Sequence, residues 1–128
     1  MNRLIHAVII GHAKFAQGML SAAESIVGRQ EGVIAVSNEG LGELEMVRSI
    51  EEKLDSYEGD LYVFVDLFGG SSFNACRQLK QKHKGWRLVS GVNLPMLVTY
   101  LTYRTRLKGS QLLSKTLESG KRGMEKFD

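Results

Sequence analysis

Two residues, His12 and Asp66, have the side chains and the positions that phosphoryl transfer requires. His12 follows the apolar run at residues 4–10 after one glycine, and Asp66 directly follows the apolar run at residues 61–65. A carboxylate that accepts a hydrogen bond from one imidazole nitrogen leaves the other nitrogen nucleophilic. Phosphoryl capture needs such a neutral, oriented ring, so the pair predicts this chemistry if the fold brings the two residues together.

A glycine- and serine-rich segment follows Asp66 and opens a predicted helix. Glycine lets a backbone approach an anion closely, and a helix N-terminus offers free N–H groups and a favourable dipole. We therefore expect Gly70, Ser71 and Ser72 to form a phosphate cradle in the same crevice, with Ser71 adding a hydroxyl donor.

Each feature alone also has an ordinary structural explanation. A histidine after a strand, a Gly-Gly-Ser turn and an aspartate at a strand end are all common, and only their joint placement favours chemistry. The other histidines are weaker candidates, since we expect His6 to pack inside the first strand and His83 to lie at a charged helix end. No Cys/His cluster has metal-ligand spacing and no P-loop motif occurs, so we expect neither a metal nor a cofactor.

Composition and charge predict one soluble, cytoplasmic domain over residues 1–128. The chain is 43% hydrophobic and 24% charged, and the run at 4–10 is too short to span a membrane. The single cysteine, Cys76, excludes an internal disulfide, and its apolar neighbours predict a buried, inert thiol. The net charge is +3, and the basic runs at 80–84 and 104–108 are typical of solvated faces, so no nucleic acid is expected as a partner.

The apolar pattern predicts an α/β fold. Short apolar runs predict strands at 4–10, 33–36, 61–65 and 87–89, with amphipathic helices between and after them. The order β-α-β-α-β-α-β-α-α implies three layers, an open and mainly parallel sheet with helices on both faces. With the strand order 2-1-3-4, the first and third strands are neighbours, so that His12 and Asp66 face each other where the order reverses.

Local signals predict where the helices begin and which residues they bury. Ser71 or Ser72 is expected to cap the third helix, and Asn93 the fourth, with Pro95 in its first turn. The second helix should end near Gly59, and the last should begin at Ser110. The expected buried faces are Leu44, Val47, Ile50 and Leu54 in the second helix, and Leu113, Leu117 and Met124 in the last.

Three segments resemble the IIA proteins of the mannose family of bacterial phosphotransferase systems. Residues 9–24 begin Ile-Ile-Gly-His-Ala-Lys-Phe-Ala and resemble that family's opening, His-Gly-x-Phe-Ala. Residues 65–74 (Val-Asp-Leu-Phe-Gly-Gly-Ser-Ser-Phe-Asn) are similar to its Asp-Leu-Phe-Gly-Gly-Ser/Thr-Pro-Phe-Asn, and residues 91–97 (Gly-Val-Asn-Leu-Pro-Met-Leu) match a third block. The blocks keep their order and separation, so the resemblance covers nearly the whole chain.

The resemblance implies a phosphocarrier. The family's histidine, matched by His12, receives phosphate from HPr and passes it to a IIB component, which phosphorylates sugar entering through membrane-embedded IIC and IID. Asp66 matches the orienting aspartate and Ser71 the phosphate-contacting hydroxyl. The resemblance also implies a homodimer with a further strand exchanged between subunits, expected around Val92 or in the C-terminal third.

Two positions depart from the family pattern. Ala13 replaces the glycine after the reactive histidine, and Ser72 replaces the proline after Ser71. If positive φ is needed at the first position, Ala13 costs on the order of 1 kcal/mol or shifts the loop. Ser72 restores a backbone N–H and brings a second hydroxyl near the cradle.

The residues leave several alternatives open. Phe15, Met19 and Phe68 are candidates for an apolar partner surface, although Phe15 and Met19 also fit a place in the core. A phosphocarrier subunit of a dihydroxyacetone kinase system would share the fold. A receiver-like module phosphorylated on Asp66 would need an acidic pair that the end of the first strand lacks. A non-catalytic regulatory domain stays an alternative because Ala13 departs from the family's glycine.

Overall fold

Four apolar segments form a parallel sheet in the computed structural model, which describes residues 6–54 and 60–128. The sheet order is β2-β1-β3-β4, as predicted, and all three pairings are parallel. β1 and β3 are buried along their whole length, because central strands covered on both faces must be apolar on both sides. The strands are β1 Ala7–Gly11, β2 Val33–Ser37, β3 Leu61–Val65 and β4 Trp86–Ser90.

Five helices cover the two faces of this sheet. Alternate residues of a strand point to opposite faces, so Ile9 and Phe64 contribute to one hydrophobic cluster while Ile10 and Val63 contribute to the other. The first cluster includes residues of α1, α4 and α5, and the second includes residues of α2 and α3. The three-layer architecture predicted from the sequence is therefore confirmed. The helices are α1 Phe15–Val27, α2 Glu43–Leu54, α3 Gly70–Lys80, α4 Leu94–Tyr103 and α5 Gly109–Arg122.

The parallel connections bring the carboxyl ends of all four strands to one edge of the sheet. β1 leads through α1 to β2 on one side, whereas β3 leads through α3 to β4 on the other, so the strand order reverses between β1 and β3. Ile10 and Val65 are register partners there, and the Asp66 N–H donates to the Ile10 carbonyl oxygen at 3.1 Å. In open parallel sheets, ligands bind beyond the carboxyl ends of the strands at such a reversal.

Several local predictions were wrong. α3 begins at Gly70 after Gly69, without a side-chain cap, so Ser71 and Ser72 lie inside its first turn. Leu44 is 60% exposed, although it was expected on the buried face of α2. Met124 follows the end of α5 and is also exposed.

Other local predictions are confirmed or lie outside the described residues. Asn93 caps α4, because its Oδ1 accepts the Met96 N–H at 3.0 Å, and Pro95 lies in the first turn. The predicted start of the first strand at residue 4 and the predicted end of α2 near Gly59 fall outside the described residues.

The strand expected to be exchanged in a homodimer stays a prediction. Within residues 6–54 and 60–128 the sheet has four strands. Val92 lies between β4 and α4, and most of the C-terminal third is helical in the single chain. None of the helices in this described part is long and apolar enough to cross a membrane.

Candidate active site

The ends of β1 and β3 place His12 and Asp66 in direct contact, as the predicted strand order requires. Asp66 Oδ2 lies 2.7 Å from His12 Nδ1 and also accepts the His12 backbone N–H at 2.9 Å. The second carboxylate oxygen, Oδ1, accepts the Leu67 N–H at 2.9 Å. Because both oxygens of Asp66 are engaged, the carboxylate has a fixed orientation and holds the imidazole through one nitrogen.

The electrostatics of this pair select one tautomer of His12. Burial raises the pKa of Asp66, but hydrogen bonds from the ring and backbone of His12, its charge and the Leu67 N–H together hold that pKa below the ordinary value of 3.8. Asp66 is therefore an anion at neutral pH and can only accept, so Nδ1 of the neutral ring carries the proton. Nε2 keeps its lone pair, and the side chain of His12 is 61% exposed.

Gly11 makes this close approach possible, and reasoning from the sequence did not single it out. A Cβ atom at this position would lie 2.6 Å from Phe15 Cδ1 and 3.2 Å from Asp66 Oδ2. Any side chain would therefore push the aromatic ring or the carboxylate away from the end of β1. The available signal was a glycine between an apolar run and a histidine.

Ala13 adopts a backbone conformation with positive φ, which glycine would adopt more easily. Its φ is 48°, and among the described residues it is the one residue other than glycine with positive φ. The neighbouring backbone forms a turn, since the Phe15 N–H donates to the His12 carbonyl oxygen at 2.9 Å. An L-residue in this region costs about 1–2 kcal/mol. The loop therefore keeps a glycine-like backbone conformation at the cost of strain.

The expected phosphate cradle is the N-terminus of α3, which Leu67, Phe68 and Gly69 connect to Asp66. Gly69 and Gly70 have φ of 80° and 77°, and a Cβ at either would meet nothing within 4 Å, so backbone conformation rather than space favours glycine. The first N–H groups of a helix have no acceptor within the helix.

The two serines of the cradle differ in their surroundings. Ser71 is half-buried, whereas the Ser72 hydroxyl is buried and accepts a hydrogen bond from Asn38 Nδ2 at 2.8 Å. The placement of Ser72 thus favours a contact through its backbone N–H over one through its hydroxyl. Asn38 is a second residue that reasoning from the sequence missed.

A family model described as "EIIA-man: PTS system fructose IIA component" matches residues 6–117 of this chain. The chain belongs to this IIA family of the phosphotransferase system. The match spans both segments that carry the site, the end of β1 with His12 and the end of β3 with Asp66.

Individual relatives agree with the family assignment. The IIA chain is 34% identical over 125 residues to the mannose-specific EIIAB component of Escherichia coli (strain K12), a match that covers 93% of this chain and 38% of that relative. It is 29% identical over 114 residues to the fructose-specific EIIA component of Bacillus subtilis (strain 168), covering 87% of this chain and 78% of the relative. The chain thus spans well under half of the E. coli protein.

A solved structure shows the same fold. The crystal structure of phosphotransferase system component EIIA from Streptococcus agalactiae superposes with a TM-score of 0.87 at 27% identity. The superposition covers 96% of this chain and 97% of the S. agalactiae chain. The four-stranded parallel sheet with its helices is therefore the fold of this IIA neighbour.

The three residues expected to form a partner surface have different environments in this IIA chain. Phe68 is 75% exposed beside Asp66, and its ring packs on Phe73 with a centroid distance of 4.7 Å. Phe15 and Met19 are half-buried and pack against the cluster beneath α1. Phe68 is therefore the candidate whose exposed ring lies free to meet a partner.

The remaining reactive side chains lie apart from the His12–Asp66 pair. His6 precedes β1 and is exposed, so the prediction that it packs inside the first strand was wrong. His83 stacks on Trp86 at 4.5 Å, and burial of Cys76 raises the pKa of its thiol to about 12, as an inert thiol requires. Among the described residues, no group of three or more His, Cys, Asp or Glu side chains could hold a metal ion.

Proposed function

We propose that this IIA-family chain is a cytoplasmic phosphocarrier in which Nε2 of His12 accepts a phosphoryl group from phospho-HPr and passes it to a IIB component. The contact of 2.7 Å between His12 Nδ1 and Asp66 Oδ2 carries the proposal, because it leaves Nε2 as the unprotonated nitrogen of a side chain that is 61% exposed. The acceptor IIB would then serve sugar uptake through the membrane components IIC and IID.

In the proposed reaction the lone pair of Nε2 attacks phosphorus. The Nε2–P bond forms while the bond between phosphorus and the donor breaks, and the bonding electrons leave with the donor. The proton stays on Nδ1, and the positive charge that develops on the ring is stabilised by the carboxylate of Asp66. Transfer to IIB is the reverse displacement. Catalysis then consists of positioning and charge stabilisation, as is usual in phosphoryl transfer.

The transferred group needs donors for its oxygens. The N–H groups of Gly70, Ser71 and Ser72 at the start of α3, together with the Ser71 hydroxyl, are the proposed donors. Two positive-φ glycines and the favourable end of the helix dipole support this assignment.

The partner surface is proposed to centre on Phe68. Its exposed ring lies two residues from Asp66, and the adjacent Leu67 is also exposed. Phe15 and Met19 are proposed to contribute to the partner surface through the exposed parts of their half-buried side chains. An exposed aromatic side chain beside a reactive histidine is well placed to contact both the donor and the acceptor.

We also propose that residues 1–128 act as one IIA domain and that the domain forms a homodimer. The family match over residues 6–117 supports the first part. The second part is supported by Met124 and Phe127, two large apolar side chains that are exposed in the segment after α5. An exchanged strand in this segment would bury both of them.

The function is tested by incubating the protein with phosphoenolpyruvate, enzyme I and HPr and then locating the added phosphoryl group by mass spectrometry. The proposal predicts an acid-labile, base-stable adduct on His12 that is absent from His12→Ala. An adduct that persists unchanged in His12→Ala would overturn it. An acylphosphate on Asp66 would instead favour a receiver-like module, and transfer only to a soluble kinase would favour the dihydroxyacetone kinase branch.

A further inference from the structure

We propose that Asn38 is a positioning residue for phosphoryl transfer, holding the His12 loop and the N-terminus of α3 in a fixed relation. The inference rests on the proposed function, because it concerns how the phosphocarrier site is held together. Asn38 is buried, and its hydrogen bonds are made to the residues that carry the site, so its role is to position them.

Asn38 contacts both halves of the site. It directly follows β2, and its backbone N–H donates to the carbonyl oxygen of Gly11, the residue before His12, at 3.0 Å. Its side-chain Nδ2 donates to Ser72 Oγ in the first turn of α3 at 2.8 Å. One residue therefore joins the strand end that carries His12 to the helix end that is proposed to bind phosphate.

The side-chain contact is buried, and this makes it persistent. Asn38 is 7% exposed and Ser72 is 3% exposed, so water has little access to either partner. Removing one partner of a buried hydrogen bond leaves a desolvated polar group, which is more costly than losing an exposed contact. The Asn38 carbonyl also accepts the Leu41 N–H at 3.0 Å, which fixes the turn that presents the side chain.

The consequence for transfer is geometric. Nε2 of His12 and the N–H groups of α3 must act on the same phosphoryl group, and displacements of about 1 Å can reduce rates by around 100-fold. Loss of the Asn38 side chain lets α3 shift relative to β1 without removing any reacting group. The maximal rate should fall, whereas the apparent KM for phospho-HPr should stay the same because Asn38 is buried away from the partner surface.

The test is a set of three variants measured by single-turnover transfer from phospho-HPr: Asn38→Ala, Ser72→Ala, and the double variant of these two. Ser72→Ala removes the hydroxyl that accepts from Asn38 but keeps the backbone N–H of residue 72. We expect each single alanine variant to lose about tenfold in maximal rate, and the double variant to lose no more than either, as contacting residues do.

A control variant separates positioning from general stability. Thr99→Ala removes the hydrogen bond between Thr99 and Ser119, which joins α4 to α5 away from β1 and α3. It should lower Tm without lowering the transfer rate. An Asn38→Ala protein with a lower Tm and an unchanged rate would overturn the inference, as would additive losses in the double variant.

These outcomes are distinguishable from failure of the proposed function. If wild-type His12 is not phosphorylated, the phosphocarrier proposal fails and this inference fails with it. If His12 is phosphorylated in the wild-type protein and at the same rate in Asn38→Ala, only the inference fails. If Asn38→Ala does not fold, Ser72→Ala decides, because it removes the other partner of the same hydrogen bond. A wild-type rate in Ser72→Ala would then overturn the inference.

Discussion

At the scale of single residues, one carboxylate determines which nitrogen of His12 is available. Asp66 Oδ2 accepts both the ring Nδ1–H and the backbone N–H of His12. A rotation of the ring would break the Nδ1 contact, while the backbone N–H would still hold the carboxylate in place. The charge of Asp66 is therefore expected to matter for both stability and transfer.

We predict that Asp66→Asn lowers the transfer rate by about 100-fold, because the amide cannot stabilise the charge that develops on the ring. Its effect on stability should depend on pH. The lowered pKa of Asp66 means that its contribution is present above about 3.8 and is lost as the pH falls through the folded-state pKa. Unfolding by urea at pH 7 and at pH 3 should show a larger difference between wild type and variant at pH 7, and a constant difference would contradict this explanation.

Ala13 offers a second test at this scale. Ala13→Gly removes the strain of an L-residue at φ 48° but makes the unfolded chain more flexible, so we predict a net gain of about 0.5–1 kcal/mol in the free energy of unfolding. The matched control is Ala22→Gly inside α1, which should lose about 1 kcal/mol. Equal losses in the two variants, measured by urea denaturation, would show that Ala13 is not strained.

The contact between His12 and Asp66 was predictable from the sequence, but the residues that support it were not. His12 and Asp66 stand out because each follows an apolar run that must be a strand, and a polar residue there reaches the functional edge of a parallel sheet. Gly11 and Asn38 act through close backbone approach and through a tertiary hydrogen bond. The Asn38 contact depends on no spacing along the chain, whereas Gly11 offered one signal, its place between an apolar run and a histidine.

At the scale of elements, the loop between β3 and α3 carries the exposed surface beside the site. We predict that Phe68→Ala raises the KM for phospho-HPr by roughly tenfold, as the loss of an aromatic anchor at an interface does, while the maximal rate stays near that of wild type. Ile26→Ala is the control, because Ile26 is similarly exposed but lies at the other end of α1. Steady-state kinetics with HPr varied would measure both, and equal effects would exclude Phe68 as the docking residue.

The errors in the predicted helix faces have geometric causes. Leu44 lies about 120° around α2 from Ile50, at 100° per residue, so it faces away from the sheet. In α5 the fully buried positions are Leu112, Thr116 and Gly120, whereas the predicted Leu113 and Leu117 are partly buried and pack against the first hydrophobic cluster. A Cβ at Gly120 would lie 2.8 Å from Met96 Cε, so close packing of α5 on α4 selects small residues that hydrophobicity alone does not identify.

At the scale of the whole molecule, the fold was predictable because few topologies satisfy the observed alternation. Strand-like runs separated by amphipathic helices require a parallel sheet, and right-handed crossovers limit how it can be wound. The order 2-1-3-4 then places β1 beside β3. Subunit contacts do not follow from the same rules, since they depend on a surface that a single chain leaves exposed.

We predict that the wild-type protein sediments as a dimer, and that replacing Met124 and Phe127 together by serine shifts it toward monomer. Both side chains are exposed in the single chain, so burial between subunits is their expected source of stabilisation. Ile26→Ser, which removes an equally large exposed side chain from α1, should leave the molar mass unchanged. A wild-type monomer across the concentration range of analytical ultracentrifugation would contradict the proposed homodimer.

In the proposed mechanism the phosphoryl group resides on Nε2 of His12 while Nδ1 stays bonded to Asp66. Nuclear magnetic resonance of the ¹⁵N-labelled, phosphorylated protein measures this directly, because the nitrogen coupled to phosphorus can be assigned to one ring position. We expect coupling to Nε2 and a protonated Nδ1 whose signal changes in Asp66→Asn. Coupling to Nδ1, or a phosphoryl group on any other residue, would overturn the mechanism.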